Sequence, residues 1–199
     1  MRHRTPLMVM VIAALALTGC AAPVFQPESA VDSHNTHTMP DGDEMSGSDH
    51  STTVGPSLAA QMICDGQVVD AVVAVVGLAN APVPNTSWQS PVFSCTFEID
   101  GKPLVLSVHD ATDIAVGEQH FAAVRESYVD AENIEGMLGL GLPSFATPDG
   151  VVAFLRDGKT LLVDATALPA ELGPNGTRNQ QQVAYALASS VLVCWVQHE

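Results

Sequence analysis

The chain has 199 residues, 22 of them acidic and seven basic, with a formal net charge of −15 and 47% apolar residues. That length suits one domain plus a tail rather than two domains. The charge sets it against nucleic acid and anionic lipid headgroups, both of which it would repel, while acidity of this kind serves solubility and names no cationic partner.

Arg2 and Arg4 precede an apolar run from Leu7 to Leu17. A basic start, an apolar core and small residues at a cut site are the three parts of a secretory signal. The run is too short to cross a bilayer, which needs roughly 20 apolar residues. It ends in Leu17-Thr18-Gly19-Cys20, which resembles the lipobox of bacterial lipoproteins. The resemblance implies that residues 1–19 are a signal peptide and that the Cys20 thiol carries a palmitate-type diacylglyceryl group and becomes the N-terminus. One acyl chain holds a protein marginally and two hold it stably. The implied address is the extracytoplasmic face of the cell membrane, with the membrane itself as first partner. All 22 acids would remain, against Lys102, Arg125, Arg156, Lys159 and Arg178.

Residues 20–56 read as the lipidated cysteine and a disordered tether. Asp, Ser, Thr, Gly and Pro dominate there, and too few apolar side chains occur to bury a core. A flexible chain of that length has an r.m.s. span of about 30–35 Å. His34, His37, Met39, Met45 and His50 lie in it among acidic residues. Imidazole with thioether suits copper and imidazole with carboxylate suits zinc or copper(II), which makes a metal-binding lipoprotein the alternative function. The spacing is loose and every ligand would lose conformational freedom on binding, so the plain tether is preferred.

Residues 57–199 form the single globular domain. Val69, Val72, Val73 and Val76 recur at helical spacing between Asp65, a fitting N-cap, and Gly77, a fitting stop. A turn-rich connection spans 80–91. Phe93, Cys95, Phe97 and Ile99 alternate as a strand, and Leu104, Leu106 and Val108 alternate again beyond Asp100-Gly101, giving a hairpin whose turn type Lys102-Pro103 leaves open. Phe121, Val124 and Tyr128 share one face of a helix over about 117–130. Residues 136–150 are irregular, with Leu138, Leu140 and Leu142 alternating with glycine. A second hairpin turns at Asp157-Gly158. Thr177-Arg178-Asn179-Gln180 fits a capping box, and Val183, Leu187, Val191 and Cys194 stripe the last helix.

The order α-β-β-α-β-β-α predicts an α+β fold, an antiparallel sheet of two hairpins with helices packed on one face. With the lipobox, the polar tether and cysteines at the first helix and first strand, this order resembles that of small actinobacterial envelope lipoproteins of unknown function. The resemblance implies a fold and an address and carries no catalytic residue.

Export permits disulfides. With Cys20 lipidated, Cys64, Cys95 and Cys194 allow one bridge and three pairings. Cys64–Cys95 is favoured, because Cys95 faces the side on which the first helix must pack and Cys194 already has a place on an apolar stripe. Cys64–Cys194 is the runner-up.

Signs of catalysis are weak. No Gly-x-Ser-x-Gly or His-Glu-x-x-His occurs. His109 and Asp110 are neighbours on a strand and so point to opposite faces, and His120 is expected to face water. Leu138, Leu140, Leu142 and Phe145 would border an apolar groove. The expected function is therefore a non-enzymatic binding or accessory domain displayed on the cell envelope, without cofactor, whose partner is an apolar small ligand, a peptide or an envelope protein.

Overall fold

The computed structural model describes residues 55–136 and 141–198. The proposed signal peptide, Cys20 and all but the last two positions of the tether lie outside them.

The domain opens with a short helix α1 (Leu58–Gln61), a single 3-10 turn at Met62–Cys64 and helix α2 (Gly66–Val76). Asp65 caps α2 by accepting from the Val68 N–H, and Gly77 ends it in the left-handed conformation. Seven strands follow: β1 (Asn85–Gln89), β2 (Val92–Ile99), β3 (Lys102–Asp110), β4 (Glu132–Asn133), β5 (Ser144–Ala146), β6 (Val151–Arg156) and β7 (Lys159–Asp164). Helix α3 (Ile114–Ser127) lies between β3 and β4, and α4 (Gln180–Gln197) closes the chain.

The strands form one sheet in the order β1-β2-β3-β7-β6-β5-β4, with every pair antiparallel. Two meanders, β1-β2-β3 and β4-β5-β6-β7, meet where β3 pairs with β7 from Val105↔Asp164 to Asp110↔Lys159. Both expected hairpins are present. Asp100 and Gly101, and likewise Asp157 and Gly158, have positive φ, which makes each a two-residue type I′ turn. Pro103 does not disturb the first. It sits opposite Glu98 one step from the turn, and β7 reaches only to Val105, so no ladder bond is lost.

The fold class is α+β as expected, but the element order is not. Strands β1, β4 and β5 were read as connections. β1 is polar and exposed along most of its length, and β4 and β5 have two and three residues, so none shows a period-2 pattern. α3 begins at Ile114, capped by Asp113, and stops at Ser127. The box that starts α4 is Asn179 and Gln182 rather than Thr177 and Gln180: the Gln182 N–H donates to the Asn179 side chain, and the Asn179 N–H donates to Gln182 Oε1.

A further correction concerns the faces. Helices pack on both sides of the sheet, not on one. Phe93, Cys95, Phe97, Leu104, Leu106, Val108, Val152 and Phe154 join α2 and α4 in the larger core. Phe121 of α3 packs with Phe145, Val151, Ala153 and Leu155 on the opposite side. The unbroken apolar run of β6, Val151 to Leu155, is the signal for this, since a strand buried on both faces loses its alternation. α3 lies over β3, β7 and β6 and reaches Phe145 of β5 through Phe121 and Tyr128.

Cys64 and Cys95 are joined in a disulfide, Cα atoms 5.7 Å apart, the favoured pairing. It ties the segment before α2 to β2 across 31 positions and contributes about 3–4 kcal/mol in the chain-entropy model. Cys194 is buried on α4 and donates to Gln67 Oε1 at 3.1 Å.

Gly117 sets the height of α3. A Cβ there would lie 2.0 Å from the Gly158 carbonyl oxygen at the β6–β7 turn. Gly117→Ala gains about 1 kcal/mol of helix propensity and loses about 3 kcal/mol to the clash, because backbone must move. We expect a net loss near 2 kcal/mol in urea unfolding; an unchanged or raised midpoint would show that α3 does not lie against this turn.

Candidate functional site

The end of the sheet where β3 finishes and β7 begins carries most of the polar chemistry of the domain. A cleft of about 370 Å³ opens there. Trp88 from β1, Pro91, and Val116 from the first turn of α3 give it apolar walls, and Ser57, His109, Asp110, Thr112, Asp113 and Lys159 supply polar groups.

Asp110 is the centre of this network. Its side chain is 7% exposed and accepts three donors: the Ser57 N–H at 2.6 Å, the Ser57 hydroxyl at 2.9 Å and the Lys159 ammonium at 2.6 Å. Burial alone would raise its pKa, but the Lys159 ammonium and the two Ser57 donors together outweigh burial and hold the carboxyl below its ordinary value. The Ser57 hydroxyl also accepts from the Ala60 N–H and so caps α1. One carboxylate thus fixes the point where the described chain enters the domain, the end of β3 and the start of β7.

His109 points to the other side of β3, as strand alternation requires, and Asp110 makes its contacts without it. The expectation for His120 is corrected. It is half-buried and its ring stacks on His109, centroids 3.6 Å apart and planes within 9°. His120 stands one turn before Val124 and so shares with it the face of α3 that packs on the sheet. Desolvation lowers the pKa of His109 against the pull of Asp110; desolvation, then the neighbouring His109, lowers that of His120.

A second cleft of about 410 Å³ adjoins the first and shares Lys159. Leu58, Met62 and Trp195 line it together with Arg156 and His198. The Trp195 indole donates to the Ala59 carbonyl at 2.9 Å, which joins α4 to the chain entry.

Cys20, His34, His37, Met39, Met45 and His50 lie outside the described residues, as do Leu138 and Leu140. The expected groove is corrected at Phe145, which is fully buried between Phe121 and Tyr128, while Leu142 is half-buried beside a depression lined by Phe121, Ile134 and Pro143. Among the described residues no group of three or more His, Cys, Asp or Glu side chains is placed to hold a metal ion. Ser57, Trp88 and Lys159 were missed. Lys159 could have been paired with Asp110 only by knowing that β3 lies beside β7.

The Ser57 hydroxyl donates to the Asp110 carboxylate, and the Lys159 ammonium is paired with the same group. Comparison of the chain with protein-family models, curated proteins and solved structures finds no match.

Lys159→Met should cost about 3 kcal/mol at pH 7, since it leaves a largely buried carboxylate without its cation. The sign with pH follows from the lowered Asp110 pKa: its contribution is complete above the ordinary carboxyl value near 4 and is lost as pH falls through the lower folded value. Urea unfolding of both proteins should therefore show a wide gap at pH 7 that narrows below pH 3; an equal gap at both would mean that the carboxylate is not the group involved.

Proposed function

We propose that the chain is a membrane-anchored cell-envelope lipoprotein, akin to small actinobacterial envelope lipoproteins, that displays a non-enzymatic binding domain. The allotment of the cysteines supports this reading best. Cys64 and Cys95 are spent on a disulfide, a bond suited to an exported protein, and Cys194 is buried in the stripe of α4. Cys20, in its Leu-Thr-Gly-Cys setting, is the cysteine left for acylation. The anchored domain would then sit at the extracytoplasmic face of the cell membrane, and two acyl chains would hold it there stably.

The binding role falls to the cleft at the end of β3. Concave sites with apolar walls and a few placed polar groups are where small ligands and peptide side chains bind, and Trp88, Pro91 and Val116 beside Thr112 and Asp113 fit that description. The partner chemistry is an apolar or aromatic group, carried by a small molecule, a peptide or an envelope protein. No cofactor is needed for it.

Detergent phase partition of cells expressing the full chain tests the anchor. The wild-type protein should enter the detergent phase with a diacylglyceryl mass on its N-terminal peptide, and Cys20→Ser should leave that phase and keep residues 1–19. A Cys20→Ser protein with unchanged partition and N-terminal mass would refute the reading.

A further inference from the structure

α3 is the most lightly held of the three long helices. It buries only Gly117 and Phe121 of its 14 residues, whereas α4 buries eight side chains. Helices held by so little apolar surface are the first to leave a fold. Part of what holds α3 is polar: the parallel stack of His120 on His109.

The surroundings of that stack suit neutral rings only. His109 Nδ1 is closed off from solvent and has no hydrogen-bond partner, and its cross-strand neighbour Thr160, 2% exposed, has an Oγ1 in the same condition. A neutral imidazole can leave one nitrogen as a bare acceptor. An imidazolium carries N–H at both nitrogens, so the buried one would become an unsatisfied charged donor. Two such cations one ring-thickness apart would also repel each other.

We infer that the His109–His120 stack is an acid-released latch, which keeps α3 docked on the sheet while both rings are neutral and frees it when they are protonated.

The charges around the pair leave this intact. On β3, Asp110 is next in sequence, but its carboxylate lies on the opposite face, held by Ser57 and Lys159. On β7 the residue opposite His109 is Thr160, and Lys159 turns to Asp110; on β2 the opposite residue is Val92. On α3, the positions one turn from His120 are Val116, Gly117, Ala123 and Val124, and Asp113 at its start borders the cleft that His109 also lines. Asp110 and the ring's contact with its own backbone favour a cation at His109, and burial outweighs both. Released rings return to an ordinary value near 6.5. Below that pH the released state binds up to two more protons than the docked one, so docking weakens by up to about 100-fold per pH unit, and above it docking is complete. The latch concerns α3 and β3 alone and stands whatever the cleft takes.

Amide hydrogen exchange of the full chain between pH 7.5 and 5, corrected for intrinsic rates, reads it directly. Protection of α3 should fall at least about tenfold while that of α4 holds. His120→Phe, which keeps a flat ring on His109, should halve the slope with pH, and His109→Phe with His120→Phe should remove it. Protection of α3 that does not change with pH, that falls in step with α4, or that keeps its wild-type slope in the double variant would overturn the latch. So would imidazole proton resonances of the wild type titrating at or above the ordinary value.

Discussion

The antiparallel pairing of β3 with β7 is the contact on which the rest of the domain depends. It joins a three-strand meander to a four-strand one, and these share no other strand pairing. It buries Leu106, Val108, Leu161 and Val163 on one face under α2 and α4. The same register sets Asp110 opposite Lys159 and His109 opposite Thr160. Strand alternation then sends the carboxylate pair to one side of the sheet and the imidazole to the other. Both polar devices at this end follow from one register, and a slip of one residue would exchange them.

What the sequence made legible was local. Asp-Gly between alternating apolar runs announced both hairpins, because each central residue must take positive φ and these two residue types do so at least cost. Asp65 and Gly77 announced the bounds of α2 in the same way, through one side-chain acceptor and one left-handed position. The pairing Cys64–Cys95 was readable because Cys95 shares a face with Phe93 and Phe97. What stayed hidden was non-local or patternless. β1 carries Asn, Thr, Ser and Gln at a sheet edge, where nothing demands apolar residues, and β5 is buried throughout its three residues. Ser57 reaches Asp110 across 53 positions, a contact no spacing rule anticipates. His120 was misjudged because a helix whose apolar stripe is thin gives little guide to which side it turns down.

The two faces of the sheet differ in how firmly they are closed. α2, α4 and the disulfide secure one with a large apolar core, and the Asp110 network pins the chain entry to it. The other is covered over half its width by α3, with Phe121, Tyr128 and Phe145 as its aromatic contact. The proposed binding cleft lies at the boundary, with walls from the firm side at Trp88 and from the lighter side at Val116. Motion of α3 would reshape that cleft without disturbing the main core, a division that suits the proposed binding role.

The binding role of this cleft is the central claim, and site-specific photo-crosslinking in intact cells tests it most directly. A crosslinking side chain would replace Thr112, exposed at the cleft, or Glu132, exposed on β4 at the far edge of the sheet. The account predicts a discrete adduct with an envelope component from position 112 and none from position 132. Adducts from position 132 alone, or none from either in protein shown to be folded and membrane-bound, would contradict it.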